Sequence, residues 1–321
     1  MKKLFISLLA VAALASCAKE DVIVADPGEL IGFNSFVENS TRATDPSYSN
    51  KQIAKFNVYG TVNGGQGDVL IYPGTEITKG SADYGAAWTC PVNQYWIAGA
   101  NYKFVGIVDG NVNGVTKTNL TNDMPTSVEY TADGATDLLC QTINYTAKPA
   151  GQTNGIVAFD FTHLLSKINF TVTNTSTEAE GYSFVVKNIT FNGATKATYD
   201  VVKAEWGTAT ATGATIIGNE RTVDSATVKD IVVASKAASA ELATEVLFIP
   251  GDYTISFTVD ILCNGKTVTT TNYPVSPATY TCTLAANNAY NFNVNVSVGE
   301  KIQFSVEKQP TWTDNDPITL Q

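Results

Sequence analysis

Cys17 and Arg42 are the residues whose type and surroundings most directly invite covalent chemistry. Cys17 closes Leu14-Ala15-Ser16-Cys17, after a Lys2-Lys3 start and the apolar run from Leu4 to Leu14. This is the pattern of a lipoprotein signal: the thiol takes up lipid and the cysteine becomes the first mature residue. An ordinary secretory signal with an incidental cysteine is the other reading. The run is too short to span a bilayer, which takes roughly 20 apolar residues. Arg42 is one of only two arginines and lies in Asn39-Ser40-Thr41-Arg42-Ala43-Thr44-Asp45-Pro46-Ser47. Such polar, turn-prone segments are accessible to proteases. Cleavage after Arg42 therefore competes with a bland reading as a solvated loop arginine. The second arginine, in Gly218-Asn219-Glu220-Arg221-Thr222, has similar polarity but no detachable strand before it.

Other reactive groups form no recognisable machinery. The single histidine, His163, sits beside Phe161 and Leu164 and reads as a packed structural residue. One histidine cannot supply a multi-histidine metal site, and neither a GxSxG elbow nor a phosphate-binding glycine loop occurs. Asp314 and Asp316 fall in a polar turn near the C-terminus, where solvation explains them better than paired acid-base work. Beyond Cys17 there are Cys90, Cys140, Cys263 and Cys282, an even number in a compartment that permits disulfides. Cys90–Cys140 and Cys263–Cys282 are the pairs to test first, with four free thiols as the alternative. No CxxC spacing supports zinc. Catalytic, cofactor and metal residues are thus expected to be absent, and the chain is read as a non-enzyme.

The elements that would position these residues are strands. Of 321 residues 44% are hydrophobic and only 16% charged, enough apolar material for a sizeable core or two. Thr, Asn, Val, Tyr and Gly abound, as in strands and turns. Ile255, Phe257, Val259 and Ile261 alternate with polar residues, as do Tyr290, Phe292, Val294 and Val296. Such period-two patterns give each strand one buried and one wet face. Further strands are expected at Leu30 to Glu38, Lys55 to Val62, Tyr102 to Val108, Ile156 to Phe161, Lys167 to Asn174, Phe184 to Asn192, Glu245 to Ile249 and Lys301 to Glu307. Only Ala234 to Ala243 suggests a short helix. The fold class is all-β, in two β-sandwiches meeting near residue 165. A net charge of −10 argues against nucleic acid, whose phosphates need clustered Lys and Arg.

Taken together, these features resemble the fimbrillin family, lipoprotein-derived subunits of the type V pili of Bacteroidota. The resemblance rests on the Cys17 lipobox, the first strand followed by Thr41-Arg42-Ala43, the Phe161 to Ile168 junction, and the Ile302 to Val306 strand followed by Trp312. It implies two tandem transthyretin-like β-sandwiches: residues 1–16 as signal, 17–42 as a lipidated propeptide with the first strand, 43–165 and 166–321 as the domains. It also implies cleavage between Arg42 and Ala43 by an arginine-specific protease, removing Ile31, Phe33 and Val37. Another subunit would then add a strand to the opened groove. Ile302, Phe304 and Val306 form the possible donor, though Pro310 and Pro317 interrupt its continuation.

The expected partners are other pilus subunits, the protease, the membrane through lipid on Cys17, and host or bacterial surface receptors. The expected location is the outer membrane for the precursor, with Ala18-Lys19-Glu20-Asp21 resembling a surface-export signal, and the fimbrium after maturation. A surface-anchored glycan-binding lipoprotein is the alternative, with Trp88, Tyr95 and Trp96 as sugar-stacking candidates.

Overall fold

The computed structural model describes residues 28–37, 53–80, 87–108, 116–121, 124–176, 181–234, 238–243, 245–273, 280–298 and 302–309. Cys17, Arg42, Ala43, Trp312, Asp314 and Asp316 lie outside these residues, as does the Val37 side chain. Among the described residues all helical or extended structure is strand, in 22 elements. In the first half these are β1 (Gly32–Val37), β2 (Lys55–Asn63), β3 (Asp68–Lys79), β4 (Trp88–Thr89), β5 (Asn101–Val108), β6 (Thr116–Thr121), β7 (Met124–Thr131), β8 (Leu139–Thr146) and β9 (Ile156–His163). Then come β10 (Ser166–Asn174), β11 (Tyr182–Asp200), β12 (Glu205–Trp206), β13 (Ala211–Ile217), β14 (Asn219–Val223), β15 (Ala226–Val233) and β16 (Ser239–Glu241). The last are β17 (Val246–Phe248), β18 (Gly251–Cys263), β19 (Lys266–Tyr273), β20 (Tyr280–Leu284), β21 (Asn288–Val296) and β22 (Gln303–Gln309).

A seven-stranded sheet runs β1-β9-β8-β5-β2-β3-β4. A second sheet runs β16-β10-β21-β22, with β17 also on β10, and a third is built around β11 and β18. The alternating residues of β18 and β21 do what their period requires: Ile255, Phe257, Val259, Phe292 and Val294 enter one apolar cluster between the second and third sheets. A separate cluster within the first half gathers Ile31, Phe33, Phe56, Tyr72, Phe104, Phe159 and Phe161. Gly106 is required there, because a Cβ would stand 2.7 Å from the Phe159 ring. A third cluster joins Val105 and Ile107 to Leu164, Leu165, Tyr199 and Leu247, and β7 pairs with the far end of β11. The two halves of the chain are thus joined by both apolar packing and a backbone ladder.

One expected element is different. Within Ala234 to Ala243 no helix forms among the described residues; Ser239–Glu241 is strand β16 on the edge of β10. Leu242 N donates to Phe170 O at 3.0 Å, and Asn174 N donates to Ala238 O at 2.9 Å. The β10 edge offers unpaired backbone groups, and satisfying them outweighs the modest helix preference of a short alanine-rich stretch.

Candidate functional site

The N-terminal segment is held from three directions. β1 lies at the edge of the first sheet and pairs in parallel with β9, from Gly32 opposite Ile156 to Val37 opposite Phe161. On its other side, Ile31 N donates to Gln94 O at 2.8 Å and Trp96 N donates to Glu29 O at 2.9 Å. Alternation places Ile31, Phe33 and Ser35 inward, all buried, and leaves Leu30 outside. The Phe33 ring meets Tyr72 edge-on at 5.1 Å and Phe104 at 5.8 Å, and lies near-parallel to Phe159 at 6.3 Å. Burying Ile31 and Phe33 is worth about 1.5–3 kcal/mol each.

The third hold is a carboxylate. Glu29 Oε2 accepts from Asn154 N at 2.6 Å and Asn154 Nδ2 at 3.2 Å, while Glu29 Oε1 accepts from Gly155 N at 2.9 Å. Those N–H groups, Asn154's first, hold the Glu29 carboxyl below its ordinary value. The receiving turn is shaped independently of Glu29. Asn154 Oδ1 accepts from Lys148 N at 2.6 Å, and Tyr145 Oη donates to Asn154 O at 2.8 Å. Lys148 Nζ donates to Thr153 O at 2.6 Å, and Gly155 takes φ 87°, which glycine accommodates without strain. The signal for this carboxylate in the sequence was weak, a lone Glu before an apolar strand.

The fit of the segment is incomplete. Ser35 Oγ, Tyr72 Oη and Trp96 Nε1, all in this region, are buried with no hydrogen-bond partner. An orphaned buried polar group costs about 1–3 kcal/mol.

At the other end of the chain, β22 runs antiparallel to β21 at the edge of the second sheet. Ile302, Phe304 and Val306 pack against the cluster of the C-terminal half and are partly buried. The Phe304 ring lies 4.8 Å from Tyr280 and 5.2 Å from Tyr273.

The remaining candidates separate. Arg221 is engaged: its Nε donates to both Asp230 oxygens at 2.7 and 2.8 Å, and Nη2 lies 2.6 Å from Oδ2. Asp230 is buried, and the two residues sit on the paired strands β14 and β15. His163 Nδ1 is bonded to the buried Asp137 carboxylate, whose Oδ1 accepts from Leu138 N at 2.8 Å. That arrangement locks the β9–β10 junction. Among the described residues no group of three His, Cys, Asp or Glu is placed to hold a metal.

The cysteine pairs are corrected. Cys90, Cys140, Cys263 and Cys282 are all free. Cys263 faces Lys266 at the β18–β19 turn, while Cys282 faces Tyr253 at the other end of β18. At about 3.3 Å per residue these positions on β18 stand roughly 33 Å apart, far beyond disulfide reach. Cys90 packs against the first-half cluster, whereas Cys140 belongs to the cluster joining the two halves. The sugar-stacking row also breaks up: Trp96 is buried, Trp88 packs edge-on to Phe56, and Tyr95 alone of the three is exposed.

The profile described as fimbrillin-like matches residues 41–310, and the chain belongs to that family. The structure is similar to a fimbrial protein from Bacteroides vulgatus, with TM-score 0.61 and 14% identity over 89% of this chain and 100% of that one. It is also similar to a proposed cell adhesion protein from Bacteroides ovatus, with TM-score 0.54 and 17% identity over 90% and 99% of the two chains. The fimbrial anchor protein Mfa2 from Porphyromonas gingivalis matches at TM-score 0.42 and 10% identity, over 88% of this chain and 98% of that one. No curated protein matches the sequence.

Proposed function

We propose that this chain is a structural subunit of a surface fimbria that contributes to adhesion and matures by losing its first strand. In the precursor, lipid on Cys17 tethers the protein to the outer membrane. An arginine-specific protease cuts between Arg42 and Ala43, and residues up to Arg42 leave with β1. The open edge of β9 and the site of Ile31 and Phe33 then receive a strand from another subunit, building the fimbrium by β-strand addition. Residues 43–165 and 166–321 serve as the two sandwich domains of the mature subunit, in the transthyretin-like arrangement that the family resemblance implies. Receptors on host or bacterial surfaces are the remaining partners.

The observation that carries this reading is the position of β1. It is an edge strand with a buried apolar face, and Arg42 follows Val37 by five residues (42 − 37). The engaged Arg221 supports selectivity, because a protease must draw the arginine out into its own site. Limited digestion of the folded protein from Cys17 onward, followed by intact mass and size-exclusion chromatography, tests it. The expected result is one cut at Arg42, an intact Arg221, loss of the N-terminal peptide and appearance of oligomers. A cut protein that keeps its first strand and stays monomeric overturns the reading.

A further inference from the structure

The turn that holds Glu29 has the character of a built carboxylate site. Two backbone N–H groups and an amide N–H converge on one point, and the turn that presents them is fixed by Tyr145, Lys148 and Asn154 rather than by Glu29 itself. When residues up to Arg42 depart, these donors lose their acceptor beside an empty apolar groove. A strand that replaces β1 well must therefore bring a carboxylate two positions before its first inward apolar side chain.

The sequence contains a second segment with that layout. Glu29-Leu30-Ile31-Gly32-Phe33-Asn34-Ser35 and Glu300-Lys301-Ile302-Gln303-Phe304-Ser305-Val306 share Glu-x-Ile-x-Phe at identical spacing. Aligned on it, each inward position has a counterpart: Ile302 for Ile31, Phe304 for Phe33 and Val306 for Ser35. The last exchange places an apolar group where Ser35 Oγ is buried without a partner. On the outer face Lys301 would stand for the exposed Leu30 and Gln303 for Gly32. A Cβ at Gly32 meets only Ile156 Cγ1, at 3.6 Å, an ordinary contact.

The two sites differ in depth. In their own chain Ile302, Phe304 and Val306 are partly buried on a one-sided edge strand, whereas Ile31, Phe33 and Ser35 are fully enclosed. Moving the strand opens the β21 edge and uncovers the Phe304 contacts with Phe257, Tyr273, Tyr280 and Phe292; in return it gains the deeper site together with the carboxylate contacts.

The geometry points to the Asn154–Gly155 turn as a carboxylate-binding subsite that sets strand register, occupied after maturation by Glu300 of a second copy, with Ile302, Phe304 and Val306 in the places of Ile31, Phe33 and Ser35. This rests on the strand-exchange reading above. The test uses Arg42-cleaved protein freed of its first strand, with labelled peptides of residues 28–37 and 300–309 and their Glu29→Gln and Glu300→Gln forms, read by fluorescence anisotropy. The 300–309 peptide is expected to bind, and its Gln form to bind at least about tenfold more weakly, since hydrogen bonds to a charged acceptor exceed neutral ones. Equal affinity of Glu and Gln forms overturns the carboxylate subsite. Glu-dependent binding of 28–37 with none of 300–309 overturns the second-copy occupant and leaves the subsite standing. If neither peptide binds and the cleaved protein stays a folded monomer, the strand-exchange reading itself fails, and this inference fails with it.

Discussion

Replacing Phe33 by alanine should loosen β1 without unfolding the rest of the protein. The Phe33 ring is 6% exposed and touches the rings of Tyr72, Phe104 and Phe159, so truncation removes a buried aromatic from three neighbours at once. Phe→Ala in a packed site costs about 3–5 kcal/mol. At about 1.4 kcal/mol per factor of ten, the open fraction of the segment rises between roughly a hundredfold and a few thousandfold. Ile31, the β9 ladder and the Glu29 contacts remain, so the segment still docks. Amide hydrogen exchange by mass spectrometry on uncleaved protein reads the effect directly. Protection of residues 32–37 and of the facing 156–161 should fall by the same factor, between about two and three and a half orders of magnitude. Residues of β18 and β21, which pack in a different cluster, should keep theirs. Unchanged protection of β1, or an equal loss in β18, would refute the claim that β1 opens as a separate unit.

Other outcomes follow from the same contacts. Ser35→Ala should hold the first strand more tightly by about 1–3 kcal/mol, because it removes a buried hydroxyl without a partner; slower release of the N-terminal peptide after the Arg42 cut checks this, and faster release contradicts it. Glu29 has its carboxyl lowered by backbone N–H groups, so its contribution is complete above the ordinary carboxylate value of about 4.3 and is lost as pH falls through the lower folded value. Lys148 is the neighbouring charge that acts in the same sense. The rate at which the cut strand leaves should therefore be flat from neutral pH down to about 5 and rise in stronger acid, with no such step in Glu29→Gln. Denatured under non-reducing conditions, mature protein should titrate with four thiols, and in the folded state Cys140, whose thiol burial pushes up to about 12, should resist alkylation. A titre of two or none would show disulfides.

The sequence made the amphipathic strands plain, because period-two alternation survives wherever a strand has one wet face. β21 and β10 fall within a residue or two of their expected bounds, while β18 starts at Gly251, four residues before Ile255. β3 was less visible, since Pro73 and Gly74 interrupt it and its pairing with β2 shifts register there. β19 was hidden for the opposite reason: Lys-Thr-Val-Thr-Thr-Thr-Asn-Tyr is mostly exposed and has no apolar face to count. The first strand was legible from Ile31 and Phe33, but its clasp was not, because Glu29 finds its donors 125 residues away at Asn154. Free cysteines could not be told from paired ones, because spacing does not say which strands are neighbours or which face a side chain takes.

Cross-linking between copies tests the central claim most directly. Ala158 lies opposite Asn34 in the β1–β9 register and is exposed, and Ser305 takes the place of Asn34 in the proposed exchange. One preparation carrying Ala158→Cys and another carrying Ser305→Cys would be mixed, cut at Arg42 and oxidised, with the linked peptides identified by mass spectrometry. An intermolecular 158–305 link that forms only after cleavage is the predicted result. Complete loss of the first strand with no such link would contradict the account.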